Sequence, residues 1–281
     1  MKIAVLKESR PGETRVAATP DTVKKFASLG AAVAVETGAG DGARFSDQAY
    51  RDVGAEIAKS VADACNAADL ILKVQRPTTR EVAFMPRGAR LVAILSPHAE
   101  PELLKAYASA GLDAFAMDLM PRITRAQSMD VLSSQSNLAG YKAVIDAAAY
   151  FGRAIPRMST AAGPINPARV FVMGAGVAGL QAIATARRLG AIVSATDVRF
   201  AAKEQVESLG ASFVTVDEEA MKNAETSGGY AKEMSDDFRR RQAEFVGQHI
   251  KNQDIVITTA LIPGRPAPKL LSEEMVRSMK P

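Results

Sequence analysis

Among 281 residues the chain has one cysteine, Cys65, and two histidines, His98 and His249. A single thiol excludes an internal disulfide framework, and so few Cys and His side chains exclude a zinc site built from them. No metal is expected, and a Cys–His nucleophilic dyad is disfavoured. Tryptophan is absent and aromatics make up 5% of the chain, too few for a base-stacking platform. No apolar run reaches the roughly 18 residues of a membrane-spanning helix. The N-terminal Met1-Lys2-Ile3-Ala4-Val5 has no signal-peptide layout. Basic residues barely outnumber acidic ones, 35 against 31, and no Arg/Lys block carries the net charge of +4. Nucleic acid is therefore not an expected partner. A reducing, cytoplasmic compartment is the expectation.

What is present is a 47% hydrophobic chain rich in Ala and Val, long enough for about two domains at roughly 150 residues each. Short β-prone runs alternate with amphipathic stretches, the pattern of parallel sheets with covering helices. Strands are expected at 2–6, 32–36, 70–74, 90–95 and 114–118. Thr19-Pro20-Asp21 opens a helix, with Thr19 as N-cap, Pro20 at the first position and Val23, Phe26 and Leu29 on one face; Gly30 closes it. Further helices are expected over about 47–54 and 101–110. A polar stretch, Pro121–Ser136, leads into a helix over about 134–151, where Leu138, Tyr141, Ile145 and Ala148 recur at helical spacing. A Pro/Gly-rich loop, Gly163-Pro164-Ile165-Asn166-Pro167, then precedes the β-prone Arg169–Met173. The fold class read from this pattern is α/β, with two doubly wound parallel-sheet (Rossmann-like) domains. They cover residues 1–125 and 126–281 and join through the loop and helix of 122–151.

The sharpest local signal is Gly174-Ala175-Gly176-Val177-Ala178-Gly179, between that strand and a helix over 180–189. Gly174 suits a tight turn, Gly176 lets a pyrophosphate approach the backbone, and Gly179 lets helix and strand pack closely. The helix start, with the amides of Val177 and Ala178, would face the phosphates. The next strand, 191–195, runs to Asp197, 18 residues beyond Gly179. A carboxylate there accepts from both adenosine ribose hydroxyls and repels a 2′-phosphate, which favours NAD over NADP. Arg199, two residues on, is a cation that could meet a phosphate. The competing view is a glycine-rich turn followed by a solvated Asp.

Asp254–Ala260 is a buried-type strand whose carboxyl end, Thr258-Thr259-Ala260, lines the ligand cleft in a doubly wound sheet. An ordinary strand-to-loop transition fits it equally well. Glu225–Met234, with Gly228-Gly229 and Tyr230, reads as a flap or, more simply on its residues alone, as an insertion. His98 in a loop and His249 at the end of a charged helix read as surface residues. Asp236–Arg241 reads as a solvated helix face, and no carboxylate pair shows an acid/base arrangement.

Lys7-Glu8 with Gly12-Glu13-Thr14-Arg15-Val16-Ala17 and Thr19-Pro20 resembles the opening signature of two groups of proteins. These are the alanine dehydrogenases and the NAD-binding component of proton-translocating nicotinamide nucleotide transhydrogenase. The run Arg125–Tyr141 resembles the transhydrogenase interdomain loop and helix, and Glu225–Met234 is similar to its mobile loop. The resemblance implies a component that binds NAD(H) and passes hydride directly to NADP(H) on a separate NADP-binding domain. A membrane proton-channel domain would couple this to proton translocation, with the component a homodimer on the inner face of the cytoplasmic membrane. Arg122, Gln127, Asp130 and Ser133 would hold the nicotinamide end, with Gln127 reaching toward the partner's nucleotide. Asp197, with Val198 and Arg199 beside it, would take the adenosine ribose. Tyr230 and Met234 would close over the nucleotide, with Thr259 and Ala260 in the cleft.

Alanine dehydrogenases place an Arg, a Lys and a His around pyruvate. Arg15 and Lys73 match the first two, but Ala93-Ile94-Leu95-Ser96 runs where the His is expected. Arg15 and Lys73 are therefore read as structural groups. Two departures from the transhydrogenase pattern stand out. Pro164-Ile165-Asn166-Pro167 replaces Thr-Ile/Val-Pro-Pro, and the chain stops at Met279-Lys280-Pro281 where relatives continue into another strand. The second domain is expected to be cut short, and an NAD-binding module without turnover of its own is a third reading.

Overall fold

A computed structural model describes residues 1–121, 123–219, 236–261 and 266–280. The chain divides into two compact units, Met1–Leu132 and Ser133–Pro281.

The first unit is built on a six-stranded parallel sheet. Its strands are β1 (Lys2–Val5), β2 (Ala32–Glu36), β3 (Glu56–Ala58), β4 (Leu70–Gln75), β5 (Arg90–Ile94) and β6 (Asp113–Ala116), in the spatial order β3-β2-β1-β4-β5-β6. That is the doubly wound order, with its reversal between β1 and β4. Alternate residues of β1, continued by Leu6 just after it, enter opposite cores: Ile3 and Val5 pack with Val23, Val35 and Tyr50, while Ala4 and Leu6 pack with Ile71, Leu91 and Tyr107. Helices therefore cover both faces, which is why the strands read as apolar runs.

Helix α1 (Pro20–Ser28) starts as its sequence dictates: the Thr19 hydroxyl accepts from the Thr22 amide at 3.3 Å and Pro20 supplies a preset φ. Gly30, at φ +82°, turns the chain out of it. Val23 is buried and Phe26 packs beside it, but Leu29 is 83% exposed. The helical period ends at Ser28, so Leu29 does not share the apolar face expected of it. The expected strand 114–118 gives way after Ala116 to a 3₁₀ turn, Met117–Leu119. Asp118 thereby takes the amides of Leu95 (2.9 Å) and Ser96 (3.0 Å) on its two carboxylate oxygens.

The second unit begins within α6 (Val131–Tyr150) and continues with β7 (Met158–Thr160), β8 (Gly163–Ile165) and β9 (Arg169–Met173). Then come α7 (Val177–Arg188), β10 (Ile192–Thr196), α8 (Ala202–Ser208) and β11 (Ser212–Phe213). Helix α9 (Asp236–Ile250), β12 (Ile255–Thr258) and α10 (Glu273–Arg277) follow. Strands β11-β10-β9-β12 form a parallel sheet, the same order as one half of the first sheet. On β9, Val170 and Val172 face one core with Ile183 and Val193. Phe171 and Met173 face the other with Val246 and Ile250 of α9.

Two local readings change here. The run 163–165 is a strand, paired antiparallel with β7. A Thr160 side chain that bonds the Gly163 carbonyl and the Ala162 amide closes the turn between them, with Gly163 at φ +121°. On α6 the buried positions are Gly140 and Val144, with Ala143 and Ala148 beside them, while Leu138 and Tyr141 are exposed.

Candidate functional site

The carboxyl ends of β9, β10 and β12 bring the glycine-rich turn, Asp197 and Thr259 together. Gly174 leaves β9 at φ +104°, a conformation that favours glycine, and its amide donates to the Thr196 carbonyl at 2.8 Å. A methyl group on Gly179 would lie 1.8 Å from the Gly174 carbonyl oxygen, so only glycine lets α7 start this close to the strand. Gly176 is different: nothing lies within 4 Å of where its Cβ would point. The turn is thus packed tight at Gly174 and Gly179 and open at Gly176. Gly176 is also the N-cap of α7 and provides no side-chain cap, so the first-turn amides, from Val177, Ala178 and Gly179, donate to no capping side chain and carry the positive end of a 12-residue helix.

Asp197 follows β10 directly, and its side chain is 7% exposed. Its Oδ2 accepts from the Ala175 amide at 2.7 Å, which ties the acid to the glycine-rich turn. Its Oδ1 accepts from the Arg199 amide at 2.8 Å. The Arg199 guanidinium donates to Oδ1 through Nε at 3.0 Å, and to Oδ2 and the Ala175 carbonyl through Nη2 at 3.2 Å each. Val198 between them is 65% exposed. From β12, the Thr259 amide donates to the Met173 carbonyl and the Thr259 hydroxyl donates to the Gly174 carbonyl, both at 2.9 Å. Thr259 therefore braces the turn from behind, and Ala260 follows beside Gly174.

One residue of this arrangement carried no role in the sequence reading. Gly140, in the middle of α6, lies against the first turn of α7. A methyl group there would sit 2.0 Å from the Ala178 carbonyl oxygen. The signal available was a glycine inside a 20-residue helix, a position that costs about 1 kcal/mol relative to alanine unless close packing requires it.

Of the residues expected at the nicotinamide end, Gln127 is exposed in the 3₁₀ turn Thr124–Met129, and its carbonyl accepts from the Asp130 amide at 3.2 Å. Both belong to the first unit, and Ser133 opens the second. Arg122, Tyr230 and Met234 lie outside the described residues, as does the segment Glu225–Met234. His98 is exposed in a turn after β5. His249, expected at the surface, is half-buried. Its Nε2 pairs with the Ser194 hydroxyl at 2.8 Å, its ring lies against Phe171, and burial, with Arg169 nearby, lowers its pKa.

At the switch point of the first sheet the charged groups are engaged with one another. Buried Lys73 donates to Glu81 at 2.8 Å and to the Lys7 carbonyl at 3.0 Å, with Glu8 at 3.7 Å. Burial raises the pKa of Glu8. Glu13 accepts from the Arg15 guanidinium at 2.6 Å, which holds its pKa down at about 2. Among the described residues no group of His, Cys, Asp and Glu could hold a metal ion, and no helix is long and apolar enough to cross a membrane.

Residues 4–139 match the family described as alanine dehydrogenase/PNT, N-terminal domain, and residues 143–281 match its C-terminal domain. The chain is 59% identical, over its whole length and 74% of the relative's, to a Rhodospirillum rubrum protein named as the first part of an NAD(P) transhydrogenase subunit alpha. A solved transhydrogenase structure from Sinorhizobium meliloti superposes with a TM-score of 0.89 at 56% identity, covering all of this chain and 76% of that one. An alanine dehydrogenase from Methanococcus maripaludis is 30% identical over the whole chain and 70% of its own length.

Proposed function

The chain belongs to the alanine dehydrogenase/PNT family, and from that premise we propose that its second unit binds NAD(H) for direct hydride transfer to NADP(H) on a partner domain. The observation that carries this reading is the turn that is closed at Gly174 and Gly179, open at Gly176, and tied to the carboxylate of Asp197. An open backbone at an uncapped helix start fits a pyrophosphate, and an acid at the end of the next strand fits a ribose diol. A nicotinamide bound here supplies the hydride. The chain's own work is to position it. Val177, Ala178 and Gly179 offer amides to the phosphates, and Asp197 orients the adenosine ribose. Arg122, Gln127, Asp130 and Ser133 hold the nicotinamide, while Tyr230 and Met234 cover it. Direct hydride transfer asks for no acid, base or metal, so catalysis rests on orientation and exclusion of water.

On this reading the chain is an oxidoreductase component of a larger assembly. It acts as a homodimer at the inner face of the cytoplasmic membrane, where a membrane domain couples the redox step to proton translocation. The reading as an amino-acid dehydrogenase meets a chemical obstacle. Reductive amination of pyruvate needs a proton donor as well as a hydride. The run Ala93-Ile94-Leu95-Ser96, without a histidine, lies where that donor is expected, and His98 is exposed.

The test measures NADH binding by fluorescence and hydride transfer to an NADP analogue, with and without an NADP-binding partner domain. Binding by the chain alone, with transfer only after the partner is added, is the expected result. Reduction of pyruvate with ammonia by the chain alone refutes the proposal, and failure to bind NADH favours a module without turnover. Gln127→Asn should leave NADH affinity nearly intact and slow only the transfer; a large loss of binding contradicts its assigned role.

A further inference from the structure

We propose that Arg199 is a specificity-determining residue. Its guanidinium occupies the face of Asp197 that a ribose diol requires, and Asp197 in turn keeps that cation from accepting a 2′-phosphate. This rests on the reading of the second unit as an NAD(H) site. A carboxylate has about four acceptor positions. On Asp197, two are taken by backbone amides, those of Ala175 at 2.7 Å and Arg199 at 2.8 Å, and these fix the carboxylate in place. The other two meet the guanidinium, at 3.0 Å from Nε and 3.2 Å from Nη2. A ribose 2′,3′-diol brings two donors to a carboxylate, and so does this face of the guanidinium. The arginine side chain therefore stands in for the ligand, and NAD(H) displaces it on entry.

The pairing also explains how a site with an arginine two residues past its acid can reject a 2′-phosphorylated nucleotide. A guanidinium is the side chain best shaped to grip a phosphate. Here the Asp197 carboxylate, 7% exposed, neutralises it, and Nη2 is turned back onto the Ala175 carbonyl. In Asp197→Asn the amide oxygen stays on the Ala175 N–H. The NH₂ group then faces the Arg199 N–H and Nε, donors against a donor. The guanidinium thereby loses the negative charge of Asp197, next to the position of the ribose.

The experiment titrates the chain and its D197N, R199A and D197N/R199A variants with NADH, NADPH and 2′,5′-ADP, with thermal unfolding to check that each folds. The wild-type chain is expected to bind NADH and to bind NADPH at least a hundredfold more weakly. D197N should lose NADH affinity and gain at least tenfold for NADPH and 2′,5′-ADP, and the gain should vanish in D197N/R199A. R199A alone, with the diol positions cleared, should bind NADH severalfold more tightly. A gain for NADPH that survives in the double variant, or none in a folded D197N, overturns the assignment. So does unchanged or weaker NADH binding by R199A, a measurement that stands even if D197N does not fold. Absence of NADH binding by the wild-type chain is a different failure: it overturns the reading of the site, and this inference with it.

Discussion

Gly140→Ala separates a structural role from a functional one, because elementary propensity and the observed packing predict opposite results. Judged as a residue in the interior of a 20-residue helix, the substitution should stabilise by about 0.8–1 kcal/mol. Judged by its neighbours, it should not. The new methyl carbon would lie 2.0 Å from the Ala178 carbonyl oxygen, 2.8 Å from its carbon and 3.0 Å from its Cα, all backbone atoms that no rotamer change can move. Ordinary contact begins at 3.4 Å, so α6 and the first turn of α7 must separate by more than 1 Å. Overpacking of this kind costs about 1–3 kcal/mol. After the propensity gain the net destabilisation is about 0–2 kcal/mol, a fall in Tm of up to about 8 °C for a unit of this size. The functional effect should be the larger one, because the atoms displaced belong to the turn whose amides face the phosphates. NADH affinity should fall at least about tenfold, a loss of about 1.4 kcal/mol. Differential scanning calorimetry and a fluorescence titration on the same preparation read both numbers. A Gly140→Ala chain that is more stable, with unchanged NADH affinity, would show that α6 does not press on the turn.

Thr259→Val keeps the shape of the side chain and deletes the 2.9 Å bond to the Gly174 carbonyl, so thermal unfolding should report a loss of about 1 kcal/mol and NADH titration about fivefold weaker binding. Asp254 has a side chain only 4% exposed that holds the Arg169 amide at 2.8 Å and the Arg153 guanidinium at 2.6 Å. Urea denaturation of Asp254→Ala should therefore show about 2–3 kcal/mol less stability, the scale for hydrogen bonds to a charged group, and little change would mean the cluster is solvated. His249 has a folded pKa below its ordinary 6.5, through burial first and Arg169 second. The unfolded chain thus takes up a proton before the folded one. The contribution of neutral His249 is complete above pH 6.5 and declines as the pH drops below it toward the folded value. His249→Gln, which can still bond Ser194, should flatten that part of the stability–pH curve, and an unchanged slope would assign the effect elsewhere.

Features that depend on neighbours along the chain were legible in the sequence. Thr19-Pro20 starts α1 because a cap and a preset φ act within one turn, and Gly174–Gly179 is readable because strand, turn and helix are contiguous. What escaped depends on distance in sequence. Gly140 meets Ala178 and His249 meets Ser194 only after folding, and no local pattern announces either pairing. Leu138 and Tyr141 formed the more apolar stripe on α6, yet small size decided which face is buried, since close approach of backbones rewards glycine and alanine over bulk. Strands β3 and β7, at three residues each, are too short for an alternation to register. For the candidate site, the turn and Asp197 could be read directly, whereas the engagement of Arg199 could not, because it depends on which rotamer its neighbours allow.

The bond from Thr259 to Gly174 has a consequence for the thermodynamic signature of binding. The pairing of β9 with β12 ends at Thr258 and Met173, but the Thr259 amide and hydroxyl add two more bonds that carry the ladder into the turn itself. A loop held this way loses its conformational freedom when the sheet forms, so little of that entropy is left to lose when a nucleotide arrives. Amide exchange at Gly174 and Ala175, whose N–H groups are bonded to the Thr196 carbonyl and the Asp197 carboxylate, should accordingly be slow in the free chain and change little with nucleotide present, the behaviour of a preorganised site.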